Sequence, residues 1–367
     1  MTLPVVSVPA VSVIMAAYNG AAVIGETIAT LIAQRFTDFE VVIVDDCSTD
    51  STPQMLRSIS DPRFRVIESS INQGPVHARN QAVALARGRY IAALDQDDLC
   101  HPDRLAAQVA YLDAHPATVL VATATRQLRN GAIRASALPP VTSPALVEWM
   151  LCICNPIVWS SVMLRSNVAQ SLTPFTRPDR LYAEDFDLYH RLAAKGRIAQ
   201  IDTELLDYRS HGGGASQRFT MTMEASATQV LADRHRPQFG DAAEARAALL
   251  VQHVMGHKPV PDRATLTALG DTIMTLQAAF LEQLRPDEAD IRLIRWETAR
   301  LWARIGRAAL RSGSIGLADA LAVRPDHLGL GYASLDGLIL SGMVGGVRRV
   351  RRRGAQRPAS QRPSAVL

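Results

Sequence analysis

Three acidic clusters stand out along the chain: Asp45-Asp46, Asp95-Gln96-Asp97-Asp98 and Glu184-Asp185. Three carboxylates within four residues repel one another. A hard divalent cation, Mn2+ or Mg2+, that shares its coordination with diphosphate oxygens is the usual remedy. The other reading of Asp95 to Asp98 is a solvated acidic turn capping the helix that follows His101-Pro102. The run from Asp45 to Asp50 is equally two-sided. Asp, Ser and Thr build turns and caps, yet an acid leaving a buried strand can also accept the imide or amino hydrogen of a base. Glu184-Asp185 opens a helix, where an acid is either a cap or dipole partner or a general base at the mouth of a cleft. Arg79 and Asn80 fall in the early turns of a helix starting at Pro75, where positive charge and terminal amides suit a phosphate; the plain alternative for Arg79 is a surface arginine. His211, ahead of three glycines, is a candidate metal ligand or phosphate contact on a loop, although a lone histidine is more often neither.

The elements that must position these groups alternate between strand and helix over the first 120 residues, as an α/β domain with a largely parallel sheet requires. Val11 to Ala17 reads as a buried strand, and Ala21 to Gln34 as a helix with Ile24, Ile28, Leu31 and Ile32 on one face. Glu40 to Val44 is a second strand running into Asp45-Asp46. Thr52-Pro53 then supplies an N-cap and first-turn proline. Phe64 to Ile67 is a third strand, Pro75 to Arg87 a helix stopped by Gly88, and Tyr90 to Leu94 a fourth strand ending in the Asp95 cluster. Ligands of open α/β sheets bind beyond the carboxyl ends of strands, and two strands deliver carboxylates to that edge.

From about 140 to 212 the order is mixed. Ile157 to Leu164 reads as a strand, Ala183-Glu184-Asp185 leads into a helix through Lys195, and Ile198 to Ile201 and Leu205 to Tyr208 read as two short strands. After Gly212 to Gly214 the sequence becomes rich in Ala, Leu and Arg with helical periodicity. The expected domains are therefore 1–214, divided into a nucleotide-binding half to about 120 and an acceptor and catalytic-base half from about 121, then a helical extension over 215–327. A Gly-rich apolar stretch and a basic tail fill 328–367.

Composition limits the function classes. With 367 residues, 48% hydrophobic and 20% charged, the chain can bury a substantial core. The net charge of +4 belongs to the tail, because the last twenty residues hold seven arginines and no acid, leaving the rest at about −3. The body therefore offers no nucleic-acid groove. Cys47, Cys100, Cys152 and Cys154 match no zinc spacing and read as free thiols. Met1 to Pro9 lacks the basic start of a secretory signal, and no run of about 18 apolar residues appears, so a cytoplasmic placement is expected. A helix around Leu335 to Val350 followed by Arg351-Arg-Arg353 either rests on an anionic membrane face or belongs to a soluble basic end. The Pro/Ser/Gln ending is expected to be disordered.

Read together, six ordered segments resemble the inverting family 2 glycosyltransferases of the GT-A fold. They are Val11 to Asn19; Glu40 to Asp50; Asn72-Gln-Gly-Pro75 with Ala78-Arg-Asn80 and Ala86-Arg-Gly88; Tyr90 to Arg104; Ala183 to Leu188 with Arg191 to Gly196; and Tyr208-Arg-Ser-His211. The resemblance implies a Rossmann-like, mostly parallel sheet flanked by helices, with the helical extension lying outside it. It implies that Ala17, Tyr18 and one of Asp45 or Asp46 hold the nucleotide base, that Gly74, Arg79 and Asp95 serve the donor, and that Asp97, with Asp95 and His211, binds Mn2+ or Mg2+ against the diphosphate. Asp185, beside Glu184, is implied as the base that deprotonates the acceptor. The expected reaction is inverting transfer from a nucleotide-diphospho-sugar, with UDP as the expected base, to a glycan or lipid-linked acceptor in cell-surface polysaccharide biosynthesis. The Gln-x-x-Arg-Trp motif of processive synthases is absent, which favours single-sugar transfer. The Gly-x-Gly-x-x-Gly of a dehydrogenase is absent after the first strand, as is the Gly-rich first loop of a sugar nucleotidyltransferase. The remaining rival is a non-catalytic nucleotide-sugar-binding or scaffold subunit. The helical extension is expected to shape the acceptor site or form a homodimer.

Overall fold

A computed structural model describes residues 8–135, 139, 141–210, 219–323 and 335–355. Two compact units emerge, one of residues 1–151 and 155–230, the other of 152–154 and 231–367. The first is built on strands β1 (Val11–Ala17), β2 (Phe39–Asp45), β3 (Phe64–Glu68), β4 (Tyr90–Ala93), β5 (Leu99–Cys100), β6 (Thr118–Arg129), β7 (Ala132–Ala135), β8 (Met163–Arg165) and β9 (Arg197–Arg209). Its helices are α1 (Ile24–Ile32), α2 (Thr52–Arg57), α3 (Pro75–Leu85), α4 (Arg104–Ala114), α5 (Pro144–Leu151), α6 (Ser166–Gln170) and α7 (Glu184–Ala193).

Among the described residues the nine strands form one sheet in the order β3, β2, β1, β4, β8, β6, β9, β5, with β7 paired to β6. From β3 to β4 the pairs are parallel. Strand β8 enters antiparallel to both β4 and β6, and β9 returns parallel to β6. Strands β1, β2 and β4 are almost wholly buried, the continuous apolar pattern of strands covered on both faces. The register sets Ala17 opposite Asp45 and Ile14 opposite Ala93. The residues that follow β1, β2 and β4 therefore emerge at one edge.

Several elements differ from the sequence expectation for local reasons. Helix α1 begins only at Ile24, because Gly20 N–H donates to Thr52 Oγ1 and Ala21 N–H to Asp50 Oδ2; Ile32 is exposed rather than packed. Thr52 is the first residue of α2 rather than its cap, a position held by Ser51. Helix α3 stops at Leu85, since the Arg87 N–H is drawn to Ser12 Oγ and Glu40. The segment 157–164 is not a strand throughout. Trp159–Ser161 forms a 3-10 turn and only Met163–Arg165 joins the sheet as a strand, because the Ser161 hydroxyl donates to Val158 O, a local bond that competes with the sheet. The two short strands expected near 200 are one strand, β9, whose register against β6 shifts near Thr123 and Ala124.

The second unit is helical: the end of α8 (Thr220–Phe239), then α9 (Ala243–Leu250), α10 (Arg263–Leu284), α11 (Glu288–Ser312), α12 (Leu317–Ala322) and α13 (Leu335–Ala355). Asp262 and Asp287 cap α10 and α11 by accepting the N–H of Thr265 and Asp290, and Gly313 ends α11 with φ 77°. Helix α13 runs through Arg351 to Arg353, beyond the expected end at Val350. The Pro/Ser/Gln ending lies outside the described residues. No helix among those described is long and apolar enough to cross a membrane.

At the edge of the sheet away from the acidic clusters, Glu40 ties β1, β2, β3 and α3 together. Its buried carboxylate accepts from Ser12 Oγ, Arg65 Nη1, and the Arg87 backbone and guanidinium. Burial alone would raise its pKa, but these donors prevail and lower it to about 2. Gly88 completes the junction, since a Cβ there would meet Ser12 N at 2.5 Å. Glu40→Ala takes the buried acceptor from the Ser12 hydroxyl and the Arg87 N–H while Arg65 and Arg87 stay in reach of water, and should cost about 1–3 kcal/mol, measured by urea unfolding. Because the folded pKa lies below the unfolded value of 4.5, the Glu40 contribution should be complete above pH 4.5 and fade as pH falls towards about 2.

Candidate active site

At the carboxyl edge of β1 and β2, the chain's own hydrogen bonds occupy much of the polar chemistry. Asp45 Oδ1 accepts the Ser48 hydroxyl at 2.6 Å, and Asp46 accepts the N–H groups of Gln73 and Gly74 at 2.9 and 2.7 Å. Both carboxylates are buried. Asp45 thus shapes its own turn, and Asp46 fixes the loop entering α3, where Gly74 sits at φ 87°. Asp46 N–H also donates to Ala17 O, leaving Ala17 buried and Tyr18 exposed at the rim. Gln96 pairs with both backbone groups of Tyr18, at 3.0 Å each. A Cβ on Gly20 would come within 2.3 Å of Gln96 Oε1, so this clamp needs glycine there.

Beyond β4, Asp95 N–H donates to the buried Ser160 hydroxyl, which the 3-10 turn presents. Asp95 Oδ1 accepts from Arg79 Nη2 at 2.9 Å, and Glu184 Oε1 accepts from Arg79 Nη1 at 2.6 Å. The guanidinium lies 5.1 Å from the Trp159 ring centroid, within cation–π range. Burial opposes its charge, but Asp95 and Glu184 outweigh that and raise its pKa. Arg79 is therefore no surface residue: three segments distant in sequence meet on it. Asp98 is buried and accepts from the Arg209 N–H, while Arg209 Nε donates to Asp97 O. Burial, then the charges of Asp97 and Asp95, lift the Asp98 pKa well above the usual carboxylate range.

Helix α7 begins at Glu184, so Asp185 lies in its first turn, half-buried. Asp185 Oδ1 accepts the Phe186 N–H at 2.7 Å and Oδ2 accepts Asn155 Nδ2 at 3.0 Å. Burial, followed by the neighbouring Glu184, pushes its pKa up to about 6 against the pull of Phe186 N–H, Arg79 and Asn155. One turn on, the Tyr189 hydroxyl is buried without a hydrogen-bond partner, as are Arg79 Nε and Glu184 Oε2. Asn155, Trp159 and Ser160 carry no recognisable sequence signal, since only folding brings them to the acidic clusters; Tyr189 follows Asp185 by one turn of the same helix. His211 lies outside the described residues.

The residues at the β4 edge fit a divalent cation. Asp95 and Asp97 are hard oxygen donors in a turn where burial, and then their own like charge, already lift Asp98. Among the described residues no group of three or more His, Cys, Asp or Glu side chains is arranged to hold an ion unaided.

This arrangement, a sheet whose carboxyl edge gathers acids around the buried Arg79 and beside Arg209, is that of the GT-A fold. The sequence profile described as glycosyl transferase family 2 matches residues 12–149. A UDP-glucose:α-D-GlcNAc-diphosphoundecaprenol β-1,3-glucosyltransferase of Escherichia coli is 31% identical over 211 residues, 56% of this chain and 79% of that one. The chain belongs to the family 2 glycosyltransferases. The succinoglycan biosynthesis protein ExoO of Rhizobium meliloti is 42% identical over 148 residues, 38% of this chain but only 42% of that relative's length. In fold, the chain is similar to a mannosyltransferase of Pyrobaculum calidifontis solved with GDP-Man and Mn2+, with TM-score 0.51, 20% identity and coverage of 94% and 88%.

Arg79→Met removes the cation that restrains Asp185. The Asp185 midpoint, followed by carbon NMR of the side-chain carboxylates, should move upward from about 6. An unchanged midpoint would show that the Arg79 charge does not reach Asp185.

Proposed function

We propose that this glycosyltransferase transfers a sugar with inversion, in a single non-processive step, from a UDP-sugar to a glycan or lipid-linked acceptor in polysaccharide assembly. The observation that carries the reading is Asp185: a half-buried carboxylate with its pKa pushed up to about 6, next to the Arg79 cluster. A base of that pKa is ionised near neutrality yet basic enough to share a proton in the transition state. The names of the Escherichia coli and Rhizobium meliloti relatives support the UDP donor and the polysaccharide setting.

In this scheme the rim of Ala17 and Tyr18 receives the base, with the Asp45 and Asp46 turns holding the rim in shape. Asp95 and Asp97, with His211, are the proposed metal residues. A Mn2+ or Mg2+ bound there would neutralise charge on the departing diphosphate. Arg79 adds fixed positive charge on the α3 side of Asp95, and Gly74 leaves the α3 entrance open to the donor. Asp185 takes the proton of the acceptor hydroxyl as that oxygen bonds to the anomeric carbon. The carbon–oxygen bond to the diphosphate breaks on the opposite face, and its electron pair leaves with the diphosphate. Glu184 keeps Arg79 in place and raises the basicity of Asp185.

The decisive experiment incubates the purified protein and Mn2+ with a panel of nucleotide sugars and acceptors, and reads nucleoside diphosphate release. Turnover with UDP-sugars is expected. Donor binding without turnover on any acceptor would instead favour a non-catalytic subunit. Asp185→Asn should lower kcat about 10²–10⁴-fold with donor KM little changed. Wild-type kcat/KM should rise with pH through about 6 as Asp185 ionises, and that rising limb should vanish in the variant. Asp97→Ala should weaken Mn2+-dependent donor binding by calorimetry at least about tenfold, leaving metal-free binding unaltered.

A further inference from the structure

We propose that the outer face of α13, with the arginines of its last turns, docks on an anionic lipid surface. The surface belongs to the helical unit and does not depend on the transfer reaction. Helix α13 packs on α11 through Leu338, Ser341 and Gly345, all buried. The approach is close enough that a Cβ on Gly345 would overlap Leu310 O, and Ser341 Oγ accepts from Arg311 Nε at 3.3 Å. These three residues recur at helical spacing and define one face. The opposite face carries Ile339, Leu340, Met343 and Val344, between 37% and 65% exposed. Four neighbouring large apolar side chains in water mark a surface that something covers.

The sequence that follows specifies what covers it. Arg348, Arg349, Arg351, Arg352 and Arg353 lie on the last turns of the same helix, and no acid occurs after Asp336. A hydrophobic protein partner alone does not call for five cations in six residues. The headgroup layer of an anionic membrane answers both features, since apolar side chains enter the acyl boundary while arginines meet phosphates. The helix is not apolar enough to cross a bilayer, so it lies in the interface.

Sedimentation of the full chain with vesicles tests this. Vesicles with about 30% phosphatidylglycerol in phosphatidylcholine should pellet the protein at least about tenfold more effectively than phosphatidylcholine alone, and high salt should reduce the difference. Leu340→Glu/Met343→Glu, at exposed positions, should lower binding at least about fivefold with an unchanged melting temperature, and so should Arg351→Gln/Arg352→Gln/Arg353→Gln. Equal pelleting by both vesicle types, or by neither, overturns the proposal. So does light scattering that shows a dimer dissociated by the Glu pair without any vesicle binding, which would assign the face to a second copy.

Discussion

A buried guanidinium is expensive unless its charge is matched, and the candidate site is organised around one. Arg79 lies on α3, Asp95 follows β4, and Glu184 begins α7. No two of these are close in sequence, yet each is within hydrogen-bond distance of the arginine or is the arginine itself. Removing either acid leaves part of a buried charge uncompensated, which costs far more than the intact pair contributes. The cluster therefore holds α7, and Asp185 with it, against the edge of the sheet.

The same electrostatics explain why the site gives up stability. Asp185 has a folded pKa above its ordinary 3.8, so its ionised form opposes folding: the favourable contribution is complete below pH 3.8 and is lost as pH rises through about 6. Arg79 Nε, Glu184 Oε2 and the Tyr189 hydroxyl add buried polar atoms without partners. At Glu40, by contrast, the buried carboxylate is fully paired.

Asp45 and Asp46 show how family motifs divide their labour. Both leave a buried strand, as a base-binding carboxylate must, but their oxygens accept from Ser48 in one case and from Gln73 and Gly74 in the other. They set the shape of two loops at the carboxyl edge of the sheet. Gln96, between the acids of the second cluster, performs the matching task for Tyr18.

The strands β1, β2 and β4 were legible because parallel strands buried on both faces need unbroken apolar runs, and the acids that end them are local in sequence. The sequence by itself likewise determined the helical character of the second unit and the position of Asp185 at a helix start. It misjudged 157–164 and β9, where Ser161 turned the backbone and an irregular register joined two segments into one strand. Only the tertiary structure decided that Arg79 is buried between Asp95 and Glu184, that Asn155 holds Asp185, and that α13 shows one apolar face to solvent. The physical reason is that a pattern of hydrophobic residues fixes which side of an element is inside. Partners of a buried charge come from whichever distant segments the sheet topology brings to the same edge.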